Sequence, residues 1–290
     1  MSVTTSVRRR IVRVETAPPF APGFAGPGHT ASLVVDPERF VEHDPFIVLA
    51  DDRLDLARGA HVGGEHPHAG FEIATLVIEG ALIDRDEGVL RTGDLLWTRA
   101  GHGIIHGEEV TTQGRTRILQ LWRALPEHER WSAPWFETVT REQVPILNER
   151  GAQVAVYAGR SGAAQAPSGR HWPMTLLDVR VEHGASIELE LPAEHAGFVY
   201  ALEGEVRAND AELRAGQVGW LDRPSESGAS TLSVSAAEDA RVVLYAGPPI
   251  GEPLQFHGPF VGGSRADLMR VSRDYVEGRF VRLSELARAG

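Results

Sequence analysis

Two short stretches of the sequence place metal-ligating side chains at every second residue. The first is His66-Pro67-His68-Ala69-Gly70-Phe71-Glu72, and the second is Gly101-His102-Gly103-Ile104-Ile105-His106-Gly107-Glu108. Side chains alternate faces along a strand, so an extended first stretch puts residues 66, 68, 70 and 72 on one side; His106 and Glu108 repeat the device. Two such strands facing each other bring imidazoles and carboxylates to one ion, and those donors suit a first-row divalent metal. A lone histidine is ordinarily a surface residue or a hydrogen-bonded filler. Here the donors come in pairs and stand among Gly101, Gly103 and Gly107, which let backbone approach closely around an inward-pointing site, so the ligand reading is preferred.

The elements that must position these residues read as strands. Short β-branched and apolar runs such as Ala74-Thr75-Leu76-Val77-Ile78 and Arg241-Val242-Val243-Leu244-Tyr245 recur between Gly, Pro, Asp and Asn, the pattern of an all-β barrel or sandwich. Helix is expected mainly near the end, where Ser264-Arg265-Ala266-Asp267 makes a capping box ahead of Leu268, Val271 and Tyr275 at helical spacing. The segment 258–290 should pack back on the barrels, because Phe260, Leu268, Val271, Tyr275 and Phe280 need burial.

The unit is written twice. His68-Ala69-Gly70-Phe71 is answered by His195-Ala196-Gly197-Phe198, and Leu76-Val77-Ile78-Glu79-Gly80 by Tyr200-Ala201-Leu202-Glu203-Gly204. Leu90-Arg91-Thr92-Gly93-Asp94-Leu95-Leu96-Trp97 is answered by Leu213-Arg214-Ala215-Gly216-Gln217-Val218-Gly219-Trp220. Three matches in order at a nearly constant offset indicate duplication. With 290 residues the chain is long enough for two domains. The proline-punctuated stretch from Glu127 to Asn148 reads as the linker, giving domains 1–130 and 131–290. The second copy keeps the frame without the donors: Ala193 stands where a partner of His195 would be, and residues 219–230 contain no histidine. One metal per chain, in the first copy, is the expectation.

Composition narrows the chemistry further. A formal charge of −11 leaves no basic surface for tracking phosphates, so direct nucleic-acid binding is disfavoured. The one basic run, Arg8 to Arg10, reads as a solvated strand start. With zero cysteines, a metal must be held by imidazole and oxygen. No run approaches the roughly 20 apolar residues of a membrane helix, and the N-terminus lacks the apolar core of a signal peptide; no membrane partner is expected, and a cytoplasmic protein is. The six tryptophans, Trp97, Trp122, Trp131, Trp135, Trp172 and Trp220, read as packing, and His171, His183 and His257 as surface or turn residues.

The His-x-His-x3-Glu stretch, followed by a glycine-rich strand ending in His106, resembles the two motifs of the cupin superfamily, and the variant resembles pirin. The likeness rests on His66-Pro67-His68 leading into Gly70-Phe71-Glu72, on Gly93-Asp94 with Trp97, and on Ala100-Gly101 through Gly103-Ile104-Ile105-His106 to Glu108. Asp44-Pro45-Phe46, Leu121-Trp122 with Leu125-Pro126, Gly251-Glu252-Pro253 and Gly258-Pro259-Phe260-Val261 extend it over most of the chain. The resemblance implies a bicupin, two tandem double-stranded β-helix (jelly-roll) barrels with a short C-terminal helix. It implies one metal in the N-terminal barrel on His66, His68, His106 and Glu108, usually iron as Fe(II), with Ni, Cu, Mn, Co or Zn accepted by the same donors. Cupins more generally take the carboxylate from the first motif, so Glu72 stays as an alternative ligand. Two departures stand out: Ala69 and His102 occupy positions where pirins commonly carry arginine. His102 lies in phase with His106 on a strand, although loop packing is the preferred reading for it.

Some pirins resemble quercetin 2,3-dioxygenases in activity. The implied reaction is O2-dependent cleavage of a flavonol, chelated through its 3-hydroxyl and 4-carbonyl, with CO release; Glu108, or Glu72 if free, accepts the hydroxyl proton. The partners are then a small aromatic substrate and O2. A second reading is a metal-binding, redox-responsive regulator that engages a transcription factor or metabolic enzyme, and a third is a cupin isomerase or storage protein.

Overall fold

The computed structural model describes residues 7–57, 60–84, 88–110, 114–167 and 169–286. The chain forms two compact units, and neither is continuous. One comprises Pro18–Gln143 with Ile250–Gly290, the other Val144–Pro249 with the chain up to Ala17.

Each unit is built from a seven-stranded and a five-stranded sheet, the two-sheet barrel expected of a double-stranded β-helix. The duplication is visible strand by strand. In the first unit's larger sheet Phe71–Glu79 lies between Leu95–Arg99 and Gly114–Ala124; in the second unit Ala196–Glu203 lies between Gln217–Leu221 and Ala240–Gly247. The answering sequence motifs therefore occupy the same places in the two sheets. Burial follows position. Phe71–Glu79 and Ala240–Gly247, central strands, are buried along nearly their whole length, whereas Ala229–Ala236 alternates, with Ser230, Leu232, Val234 and Ala236 inward. Leu177, Val179, Val199, Leu232 and Leu244 belong to the core of the second unit, and Leu54, Val62, Val77, Leu96, Ile104 and Ile118 to that of the first.

The ends of the chain complete the sheets, and this changes the serial division at residue 130. Val7–Arg8 runs parallel to Ala229–Ala236, and Ile11–Thr16 runs antiparallel to Gln217–Leu221, so the N-terminal arm belongs to the second unit. Val281–Arg282 runs parallel to Ile104–Val110 and belongs to the first. The stretch expected to be a linker is also built in. Trp135–Val139 pairs with Leu95–Arg99, and Trp135 and Phe136 are buried, so the chain changes unit at Gln143–Val144. Local patterning could not reveal this, because strand pairing at long separation leaves no short-range mark.

Arg9 corrects the reading of the basic run. Its side chain is fully buried, donating to Asp222 Oδ1 at 3.1 Å and to the carbonyls of Pro192 and His195 at 3.3 and 3.0 Å. Burial pulls its pKa down, opposed by the Asp222 carboxylate. Arg10 keeps the exposure expected, although it also reaches Asp222.

As far as residue 286 the C-terminal segment packs back as expected; residues 287–290 lie outside the described residues. Ser264 caps the helix Arg265–Val276, its Oγ accepting from the Asp267 N–H at 3.2 Å. Phe260, Leu268, Val271 and Phe280 form a buried cluster with Ala69, and Leu283 enters the core of the first unit. Tyr275 is the exception, 40% exposed though edge-on to Phe260 and tilted against Phe280. Among the described residues, no helix is long and apolar enough to cross a membrane.

Removing residues 264–290 strips the first unit of four fully or nearly buried apolar side chains and of the strand beside Ile104–Val110. Phe280→Ala alone should cost roughly 3–5 kcal/mol. The truncated chain is therefore expected to melt far below the full chain or to be insoluble; equal melting temperatures would contradict this packing.

Candidate metal centre

Register brings the histidines together. The strands His61–His68 and Ile104–Val110 pair antiparallel, with His66 directly opposite His106 and His68 opposite Ile104. Since His66 and His68 are two apart, all three imidazoles share one face. Their ring centroids are 4.6 Å (66 to 106), 4.8 Å (66 to 68) and 5.1 Å (68 to 106) apart, and one nitrogen from each lies within 4.8 Å of the others. Among the described residues no second group of three such donors comes together.

The register shifts just beyond His106, where Glu108 comes opposite Val62. The extra residues on the His66 strand form a bulge around Gly64, whose carbonyl accepts from His66 Nδ1 at 2.8 Å. That bond fixes the ring and puts its proton on Nδ1, so that Nε2 carries the lone pair, the support commonly found behind metal-bound imidazoles.

His68 is the most constrained of the three. Burial, and then the neighbouring His106 and His66 rings, hold its pKa well below the usual imidazole range, so it stays neutral, the form that ligates. Its Nδ1 is buried with no hydrogen-bond partner in the structure. A buried polar atom without a partner costs roughly 1–3 kcal/mol, and a position flanked by two more imidazoles is one that a cation would satisfy. The donor set and the orphaned nitrogen both fit a divalent metal. The backbone of Glu108 continues the His106 strand; its side chain lies outside the described residues.

Glu72 does not join the imidazoles. The strand of His66 ends at His68; Ala69 bridges to Phe260, Gly70 takes φ +92°, and a new strand starts at Phe71. A Cβ on Gly70 would sit 1.9 Å from the Val261 carbonyl oxygen, so only glycine fits this turn. The alternation counted from His68 to Glu72 is therefore broken, and the carboxylate lands on a different strand. There Arg99, Glu72 and Arg123 are direct cross-strand neighbours. Arg99 donates Nε and Nη2 to Glu72 Oε1 at 2.8 and 2.6 Å, and Arg123 Nη2 donates to Oε2. Arg99 also reaches Glu129 at 2.6 Å and Ser132 at 3.1 Å. Glu72 is 1% exposed. Burial lowers the pKa of Arg123, and Glu72 opposes that shift.

Trp122 borders the imidazoles, a contact the sequence did not reveal. Its ring stands edge-on to His68 at 5.1 Å and stacks on Phe71 at 4.5 Å. Trp122 packs as read, against the cluster of Phe71, Ile73 and Ala124, and the same face of its strand also turns it toward the imidazoles, since its neighbour Arg123 takes the other face. Trp97, Trp135 and Trp220 are buried as expected. His102 is exposed in a turn and takes no part in the cluster. His195 lies beyond the end of its strand at Pro192 and borders a cavity of about 670 Å³ with His171, Glu190 and Glu194.

Comparisons with known proteins agree with this geometry. The pirin family matches residues 35–123, and the pirin C-terminal cupin domain matches residues 176–281. A pirin-like protein from Caulobacter vibrioides is 36% identical over 247 residues, 82% of this chain and 87% of its own. Mouse pirin is 29% identical over 80% of this chain and 81% of its own. The crystal structure of a quercetin 2,3-dioxygenase from Acinetobacter baumannii superposes with a TM-score of 0.83 at 26% identity, covering 94% of this chain and 99% of that one.

Glu72→Gln should take the Glu72 counter-charge from the buried Arg123 and leave Arg99 with Glu129, a loss of roughly 3–5 kcal/mol. Metal bound per folded chain should stay at the wild-type value. Thermal melts and elemental analysis read the two effects separately; loss of metal with stability intact would make Glu72 a ligand.

Proposed function

We propose, for a chain that belongs to the pirin family, the function of a metal-dependent dioxygenase whose substrates are small aromatics with adjacent hydroxyl and carbonyl oxygens, flavonols being the model. The observation that carries the reading is the three-imidazole face, with His68 held neutral by burial and an aromatic wall beside it. His66, His68, His106 and Glu108 would hold one divalent metal in the first unit, Fe(II) first among the ions these donors accept. When bound, the metal supplies Lewis-acid polarisation of the substrate oxygens and a route for electron density to O2.

The protein's own residues do the rest. The Gly64 carbonyl orients His66, and burial keeps His68 uncharged. Trp122, backed by Phe71, offers a flat face to an aromatic ring approaching the imidazoles. Glu108 accepts the proton that the substrate hydroxyl gives up. Glu72 is unsuited to that role, since both its oxygens are committed to arginines. The Acinetobacter structure, described as a quercetin 2,3-dioxygenase, supports the choice of substrate class.

His106→Ala should lose both metal and flavonol oxidation, because two imidazoles bind far more weakly than three. Glu108→Gln should keep much of the metal while turning over about 10²- to 10⁴-fold more slowly, the usual contribution of a general base. Loss of flavonol absorbance against metal content checks both. Metal-replete wild type that consumes no flavonol would overturn the oxygenase reading in favour of the regulatory one.

A further inference from the structure

Phe24 is 69% exposed. Single exposed apolar side chains are common, so exposure by itself argues nothing. What distinguishes this ring is its neighbour and its mounting. It stands edge-on to His66, with centroids 6.4 Å apart at 68°, and edge-on to His29 at 5.2 Å and 84°.

The loop that carries it is clamped from below. His29 is buried, its Nδ1 accepting from the Ala25 N–H at 3.1 Å and its Nε2 facing Asp52 Oδ1 at 2.8 Å. Because Nδ1 accepts, the proton sits on Nε2 and is donated to the carboxylate. The Gly23 N–H donates to the His29 carbonyl at 2.9 Å, and the Asp55 N–H to the Gly28 carbonyl at 2.7 Å. The His29 ring lies 2.3 Å from where a Cβ on Gly23 would be, and Ala25 packs against the core cluster containing Leu54 and Val62. A loop tied at both ends and in its middle presents one large apolar ring to water beside a candidate metal ligand. Its edge rests on the His29 ring while most of its surface stays open to water.

The imidazole face is thus bordered by aromatics at two ends, Trp122 beside His68 and Phe24 beside His66. A substrate whose oxygens lie at the imidazoles has one aromatic neighbour half-buried and one at the solvent rim. Resting on the oxygenase reading above, we propose that Phe24 is a specificity-determining residue that takes the pendant ring of a two-ring aromatic substrate. It selects for substrates with a second aromatic ring outside the chelating one. The ring buried on binding recovers the apolar area that Phe24 leaves in water.

The test is binding rather than turnover. Full-length protein loaded with Ni(II) under argon is titrated with two chelators sharing the same 3-hydroxy-4-carbonyl edge and fused ring: a flavonol with its pendant ring, and 3-hydroxychromone without one. Metal content is matched for wild type, Phe24→Ala and Phe24→Tyr. Phe24→Ala is expected to bind the flavonol roughly tenfold more weakly, the change that one aromatic contact of about 1.4 kcal/mol produces, and 3-hydroxychromone as tightly as wild type does. Phe24→Tyr should restore flavonol affinity. Equal loss for both chelators, or no loss for either, overturns the proposal while leaving the metal-chelation reading in place. Wild type that binds neither chelator overturns that reading and the proposal with it.

Discussion

Antiparallel pairing sets His66 directly opposite His106, and alternation then places His68 on the same face. A slip of one residue would turn the His66 strand's imidazoles to the opposite side, so the centre exists only in this register. The register is held from several sides. The bulge at Gly64 shifts the pairing beyond His106, and Val281–Arg282 lies along the far side of the same strand. A segment at the end of the chain thereby braces a histidine strand nearly two hundred residues earlier.

The second constraint keeps a carboxylate away. Once Gly70 breaks the strand, Glu72 falls between Arg99 and Arg123, where both its oxygens are bound. Paired with arginine on the opposite face, Glu72 leaves His68 governed by burial, which keeps it neutral. The same glycine turn therefore separates an arginine–carboxylate layer from the imidazole cluster.

Much of this was legible in the residues. The His-x-His and His-x-Glu spacings and the repeated motifs led to a duplicated β barrel with its donors in the first copy, and the observed sheets match strand for strand. Glu72 was misplaced because alternation was counted through Gly70, where only the contact with Val261 shows that the strand has ended. Arg9, read as solvated, is buried because its partners Asp222, Pro192 and His195 lie about two hundred residues away, beyond any local pattern. Phe24 and Trp122 carry no motif either. Their roles depend on which ring they meet, and that is decided by long-range pairing.

The central claim is that one ion is shared by three imidazoles and the carboxylate of the His106 strand. The most direct measurement is a crystal structure of metal-loaded protein with anomalous diffraction recorded at the metal's absorption edge. The account predicts one anomalous peak per chain, bonded at about 2.0–2.2 Å to nitrogens of His66, His68 and His106 and to a Glu108 oxygen, with Glu72 still on its arginines. A peak bonded to Glu72, or a second peak at His195, would contradict it.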